Sequence, residues 1–272
     1  MYRTTPALVL RTVRYKEADR ILTLLTPEDG RMTVKARGAL RKGSHLAAQT
    51  EPLCYSEFTM FGNRGRWTVN EANRIEDFHE LRQSLSALAL GCYLAECLEA
   101  FSEENIPEPA MLQLGLNSLY ALSRGLASES RIKAVFEWRL AAISGYEPDL
   151  LGCRVCGRAD PEKALFSVEN GDLVCTSCQN LEPGYEEIRP EELRLMRQVL
   201  TAPAKKMLSF TADPETMRHF SDLAERYFLQ KAERRFGSLD YWRSVRFSEP
   251  RTEPQSKDGG EAPEENSGAK AP

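Results

Sequence analysis

Apolar and polar positions alternate with a period of two through roughly the first 75 residues, then switch to a period near 3.6. Residues 7–14 are rich in β-formers, and 20–26 give a second strand candidate. Pro27, Glu28, Asp29 and Gly30 have the composition of a type I turn. The chain then returns with Met32, Val34 and Ala36 on one face and Arg31, Thr33 and Lys35 on the other. Cys54, Ser56 and Phe58 alternate with Tyr55, Glu57 and Thr59, and a turn at 62–65 leads into 66–72. These patterns predict five short strands without a long helix. A small barrel of the OB type closes such a set without leaving edges exposed, and an SH3-like barrel is the main rival.

From Leu81 the pattern becomes helical. Leu81, Leu85, Leu88, Cys92, Ala95 and Leu98 form one stripe, and Leu112, Leu116, Leu119, Leu122 and Leu126 form another. Pro107 and Pro109 separate the two. Ser128 is a candidate N-cap for a third helix through Ile132, Phe136, Leu140 and Ile143, with Gly145 at its end. Further helices are expected from Pro190 and from Asp213, the latter running through Met217, Phe220, Ala224, Tyr227 and Lys231. Each apolar stripe needs a partner, so the helices are expected to pack as a bundle.

Between the third and fourth of these helices stand Cys153, Cys156, Cys175 and Cys178, a C-x2-C-x18-C-x2-C pattern. The spacing suits a four-thiolate zinc site, and Zn²⁺ is the expected cofactor. Residues 164–168 read as a strand, Asn170-Gly171 as a hairpin turn and 172–174 as the return, which brings the second pair toward the first. Two disulfides or free thiols are the alternatives. Disulfides fit poorly with the odd total of seven cysteines and with Cys54, Cys92 and Cys97, which are expected to be reduced and buried.

The chain of 272 residues has a net charge of −4, yet the charge is uneven. Residues 1–75 hold 13 basic and 7 acidic side chains, a net of +6, whereas the stretch from Glu249 holds 6 acidic and 3 basic. That last stretch, rich in Pro, Gly, Glu and Ser, is expected to be disordered. No secretory or membrane-spanning segment is evident, and a cytoplasmic location is expected. Arg37, Arg41 and Lys42 share a loop with Gly38 and Gly43 beside the barrel. Such a loop follows a phosphate backbone, or simply keeps the protein soluble; the adjoining strand face with Arg31 and Lys35 favours phosphate. The candidate DNA-binding set is Arg14, Arg31, Lys35, Arg37, Arg41, Lys42, Arg64 and Arg66. Trp67, Tyr15 and Tyr55 are aromatics that can stack bases or pack in the barrel.

Catalytic motifs do not appear. The loop at 38–44 lacks the spacing of a phosphate-binding P-loop, and His45, His79 and His219 belong to no H-E-x-x-H arrangement. Four thiolates leave zinc no open position, so the metal is expected to be structural and the protein not to be an enzyme. A helical adaptor with incidental DNA affinity is the competing reading.

The chain as a whole resembles the bacterial RecO family of recombination mediators over nearly all of residues 1–247. The likeness rests on the opening strand with Ala7 to Arg11, on the run from Tyr15 to Thr26, and on Gly30 with the Ala36 to Ser44 loop. It continues through Gly145-Tyr146-Glu147-Pro148 ahead of Cys153-Arg154-Val155-Cys156-Gly157, and through Phe166 and Gly171 to Cys175. Leu40 departs from it, standing where a basic residue is common, and the stretch after Arg246 has no counterpart in the family core. The resemblance implies an α+β protein: an OB-fold over 1–79, a helical domain in two parts, 80–150 and 182–247, a zinc ribbon at 151–181 and a tail at 248–272. It further implies binding of single- and double-stranded DNA and annealing of complementary strands. The implied partners are RecR, sometimes RecF, the recombinase RecA and the acidic tail of the single-strand-binding protein SSB, in a nucleoid-associated setting.

Overall fold

The computed structural model describes residues 1–159, 163–178 and 184–246. The end of the expected ribbon at 181 and the expected tail at 248–272 lie outside the described residues. Five strands open the chain: β1 (Tyr2–Tyr15), β2 (Asp19–Thr26), β3 (Gly30–Ala36), β4 (Tyr55–Asn63) and β5 (Arg66–Glu76). They close into a barrel in the order β1-β2-β3-β5-β4, and β3 runs parallel to β5 while all other pairs are antiparallel. This is the OB topology rather than the SH3-like one. A register shift between Val9 and Arg11 bends β1, so its first half pairs with β4 and its second with β2.

The period-two pattern places the barrel core as expected. Val9, Leu22, Leu24, Met32, Val34, Ala36, Phe58 and Met60 are buried together. Ala39 and Leu46, from the connection between β3 and β4, join that cluster. The basic loop is therefore pinned: Leu40 N–H donates to the Ala18 carbonyl at 2.9 Å and Gly38 N–H to Asp19 Oδ1 at 2.8 Å. Its Arg37, Arg41 and Lys42 side chains remain exposed.

A 3₁₀ turn (His79–Gln83) leads to α1 (Leu85–Phe101), α2 (Pro109–Ser123) and α3 (Glu129–Ile143). The expected stripe on α1 is corrected. The helix starts at Leu85 with the Ser84 hydroxyl accepting from Ala87 N–H, and Leu85 and Cys92 are exposed. Leu81, Ala95 and Leu98 of the stripe are buried, and Ala89, Leu90, Tyr93, Leu94 and Cys97 are buried with them. The reason is tertiary: α1 packs against the barrel, α2, α3 and the last helix, so more than one face is covered. Leu126, expected on the second stripe, lies beyond α2 and is exposed. Ser128 does cap α3, accepting from Arg131 N–H, and Gly145 (φ +87°) closes its far end.

After α3 come β6 (Asp149–Cys153), β7 (Ala164–Phe166), β8 (Asp172–Cys175) and β9 (Glu186–Ile188), a sheet in the order β6-β8-β7-β9. Helices α4 (Pro190–Thr201), α5 (Pro214–Ala232) and α6 (Gly237–Val245) complete the fold. The last of these was not foreseen. Its Trp242 is buried and donates from Nε1 to Glu129 at 2.7 Å. Beneath it, Lys133 sits between Glu137 (2.8 Å) and Glu225 (2.7 Å), and Tyr93 O–H donates to Glu137 at 2.7 Å. That buried charge is thus hydrogen-bonded on every side, the condition under which burial is tolerable.

Barrel and helices share one apolar cluster, in which Leu8, Leu10 and Leu25 meet Leu81, Leu94, Leu98 and Leu114. The seam has its own hydrogen bonds: Arg31 N–H to Glu103 O (2.8 Å), Asn105 N–H to Asp29 O (2.9 Å) and Glu108 N–H to Pro27 O (3.1 Å). The proline-rich link between α1 and α2 therefore docks on the β2–β3 turn. Among the described residues no helix is long and apolar enough to cross a membrane.

Candidate functional site

Two groups of side chains have chemistry beyond packing. The first is the cysteine quartet. Strand β6 delivers Cys153, and the following knuckle closes through Gly157 N–H to Cys153 O at 2.8 Å, with Gly157 at φ +72°. The β7–β8 hairpin pairs Ala164 with Cys175, and Cys178 N–H donates to Cys175 O at 2.9 Å. The two knuckles face each other, and all four sulfurs lie within 4.8 Å of one another. A tetrahedral ion with bonds of about 2.3 Å to sulfur needs sulfurs roughly 3.8 Å apart. Cys156 Sγ and Cys175 Sγ are 3.7 Å apart, and none of the seven cysteines is in a disulfide. The donor set fits a metal ion. Burial opposes ionisation of Cys153, but N–H groups of Cys156, Cys175 and Val155 outweigh it and hold the thiol at about 6. Cys178, hydrogen-bonded to Cys175 and buried, is pushed up to about 12. Four sulfurs this close share protons in this way because they cannot all carry charge, and a bound cation is what lets them.

The hairpin is fastened to the helices. Gly171 (φ +76°) lies so close to Tyr227 that a Cβ there would meet its hydroxyl at 2.6 Å. Phe166 packs on Trp138 and Tyr227, with ring centroids 6.0 and 5.7 Å apart. Tyr227 O–H donates to the Tyr146 carbonyl at 2.9 Å. Of the other thiols, Cys54 and Cys97 are buried as expected, whereas Cys92 is exposed.

The second group is cationic. The structure divides the eight candidate DNA-binding residues into three sets. Arg14, near the end of β1, pairs in register with Arg20, whose guanidinium bonds Ala47 O (2.7 Å) in the β3–β4 connection. That connection carries Arg37, Arg41 and Lys42, all exposed, and Lys35 ends in the same region. Arg64 and Arg66 lie in and beside the β4–β5 hairpin turn. Since Lys35 pairs with Thr68, and Arg66 is two residues earlier, Arg66 and Lys35 share the outer surface of neighbouring strands. Arg31 stands apart: its guanidinium donates to the Glu99 carbonyl at 2.8 Å, which commits it to the seam with α1. Lys35 is also engaged, at 2.8 Å from Asp19, and it holds that carboxyl below its usual range. Among the described residues Arg14, Arg37, Arg41, Lys42, Arg64 and Arg66 have no acidic partner.

The aromatics also separate. Trp67 is half-buried under the Arg3 guanidinium, 5.3 Å from the ring, and Tyr55 packs on the helical core. Tyr15 is exposed, with Lys35 4.8 Å and Lys16 5.6 Å from its ring centre. Lys16, in the β1–β2 turn at φ +55°, adds a cation outside the candidate set. Its position directly after Tyr15 and opposite the basic loop was the available signal.

Fold and sites together define an OB-barrel protein with a helical body and an embedded four-cysteine hairpin. Comparison with known proteins gives the family. The model of the recombination protein O N terminus matches residues 1–78, and that of its C terminus matches 82–240. The DNA repair protein RecO of Acetivibrio thermocellus is 31% identical over 244 residues, covering 90% of this chain and 97% of the relative. That of Desulforudis audaxviator is 32% identical over 246 residues, with the same coverage of 90% and 97%. That of Dehalococcoides mccartyi strain CBDB1 is 35% identical over 181 residues, 66% of this chain and 71% of the relative. The chain belongs to the recombination protein O family, and its role lies in DNA repair and recombination.

Proposed function

We propose that this protein is a recombination mediator that binds single- and double-stranded DNA through its barrel and anneals complementary strands. With RecR, and in some settings RecF, it helps load RecA onto strands coated by SSB, whose acidic tail docks on the helical domain. Its work is done on the nucleoid in the cytoplasm, without catalysis. One observation carries the DNA reading: Arg14, Arg37, Arg41, Lys42, Arg64 and Arg66 are exposed on the barrel, and none of them is ion-paired with a carboxylate among the described residues. Unpaired cations neutralise phosphates without reading sequence, and neutralising two strands at once lowers their mutual repulsion. Lys35 contributes where phosphate displaces Asp19, and Arg31 acts indirectly by holding the barrel to α1.

The cofactor of this reading is Zn²⁺, held by Cys153, Cys156, Cys175 and Cys178. Bound there it supplies a cross-link between the two knuckles and no reactive position. The hairpin's Phe166 and Gly171 carry that cross-link into the helices through Tyr227 of α5.

The test is the salt dependence of binding. Arg37→Glu, Arg41→Glu and Lys42→Glu together should weaken binding to every sequence alike. The log–log salt slope should fall by about 2 on single strands and about 2.7 on duplex, from roughly 0.7 and 0.9 per lost phosphate contact. Annealing should slow in parallel, and RecR-dependent loading with it. A triple variant that binds and anneals as the parent does would remove the barrel loop from the mechanism.

A further inference from the structure

The hairpin end of the barrel carries two aromatic rings that the fold leaves in solvent. Tyr2, at the start of β1, and Phe61, near the end of β4, are register partners. Ser56, Phe58 and Met60 face the core, so alternation turns Phe61 and Thr59 outward. The two rings lie 5.1 Å apart, tilted by 53°, and Tyr2 is 67% and Phe61 38% exposed. On its other side Phe61 pairs with Thr68 of β5, and Arg66 stands on the same outer face two residues earlier. Arg64 (φ +50°) and Gly65 (φ +75°) form the left-handed pair of a tight hairpin turn, which leaves the Arg64 side chain exposed at its tip. Neither guanidinium has an acidic partner among the described residues. Thr4 and Thr59, bonded to each other at 3.0 Å, border the rings away from the tip; Glu71 pairs with Thr59 in that same row, and Glu57 comes beyond it.

Exposed π-faces beside unpaired guanidiniums match one kind of ligand closely. An unpaired nucleobase offers a flat apolar face, and the phosphate next to it offers the charge. A purely apolar protein surface would cover the rings and leave Arg64 and Arg66 without counter-charge. In duplex DNA the bases are stacked on one another and inside the helix, so the rings have nothing to receive. We propose that Tyr2 and Phe61 form a base-stacking platform for single-stranded DNA, with Arg64 and Arg66 on the adjoining phosphates. This rests on the barrel being the DNA-binding surface, and it gives that surface two parts. The loop with Arg37, Arg41 and Lys42 takes any phosphate backbone, and the hairpin patch takes single strands. Strand β5 connects the two, since its Thr68 lies between Lys35 and Phe61.

The experiment uses the full chain with Tyr2→Ala and Phe61→Ala together. Three probes of equal length are titrated: an oligothymidine, an abasic strand and a duplex. Loss of one stacked base costs about five-fold or more in affinity. The double variant should therefore bind oligothymidine at least five-fold more weakly, with an unchanged salt slope, and bind the abasic strand and the duplex as the parent does. Tyr2→Phe with Phe61→Trp, which keeps both rings, should restore oligothymidine binding and so separates stacking from misfolding. Unchanged oligothymidine affinity in the alanine variant would overturn the platform and assign the rings to a protein partner. Equal losses on all three probes, or failure of the ring-retaining variant to restore binding, would overturn it as well. A parent protein that binds none of the probes would remove the DNA reading itself, an outcome distinct from the others.

Discussion

Replacing Gly30 with alanine tests whether barrel and helices are held as one body. Gly30 opens β3 with φ +58°, a conformation that costs an alanine roughly 1–2 kcal/mol. It also lies against the link between α1 and α2. A Cβ built there would stand 2.3 Å from the carbonyl oxygens of both Glu103 and Ile106, which are backbone atoms and cannot swing aside. The seam must open. Opening strains the bonds from Arg31 N–H to Glu103 O and from Asn105 N–H to Asp29 O, each worth about 0.5–1.5 kcal/mol. The whole cost should be about 2–5 kcal/mol. Gly43→Ala is the control, because Gly43 has φ +75° and nothing within 4 Å of its Cβ position. It should show the backbone cost alone. Urea unfolding of the three proteins measures both quantities, and Gly30→Ala should exceed Gly43→Ala by about 1–3 kcal/mol, with unchanged steepness. Equal destabilisation by the two substitutions would show that the seam at Gly30 contributes nothing.

Two further outcomes are expected. Purified protein should hold about one zinc ion per chain by elemental analysis, and Cys153→Ser should lose the ion and melt at lower temperature; a metal-free parent with freely titratable thiols would refute the assignment. Stability should also fall in acid through Glu192. Burial works against its charge, but the N–H and guanidinium of Arg189 (2.8 and 2.7 Å) and His219 (2.8 Å) outweigh that and hold its carboxyl below the ordinary value. A depressed pKa contributes stability above about pH 4.3, the unfolded value, and that contribution disappears as pH falls through the folded one. The stability gap between the parent and Glu192→Gln should therefore shrink below about pH 4, and a gap that is constant from pH 3 to 6 would exclude the effect.

Local rules made much of this fold legible. Met32, Val34 and Ala36 faced the barrel core as their alternation required, and Ser128 and Asp213 cap α3 and α5 through their side-chain oxygens. The hairpin that closes the cysteine quartet forms as expected, but its connection is the four residues 168–171, with Ser167 bonded to Asp172, rather than the two-residue turn Asn170-Gly171. What periodicity could not supply was the partner of each surface. Leu85 and Leu90 look alike in a hydropathy profile, yet only Leu90 is buried, because α6 and the barrel choose which sides of α1 are covered. Arg31 reads as an outward strand residue, and so it is, but the surface it meets is the end of α1. Tyr2 and Phe61 are 59 positions apart, and only barrel closure makes them neighbours.

The same distinction explains how a chain of net charge −4 can hold a polyanion. Charge matters by location, since solution ions screen interactions beyond about 8 Å. In the helical body several acids are occupied by bases of the same body: Glu80 by Arg124, Glu192 by Arg189, Glu186 by Arg226, and Glu225 by Lys133 and Arg243. Arg11 and Arg31 are drawn into the seam by Glu99. Pairing of this kind removes cations from the pool available to a ligand just as it removes acids from the repulsion against one. Among the described residues the barrel cations that form no ion pair with a carboxylate include Arg14, Lys16, Arg37, Arg41, Lys42, Arg64 and Arg66, and these are left for phosphate. Net charge averages over groups that are already neutralised. The barrel surface presents the ones that are not.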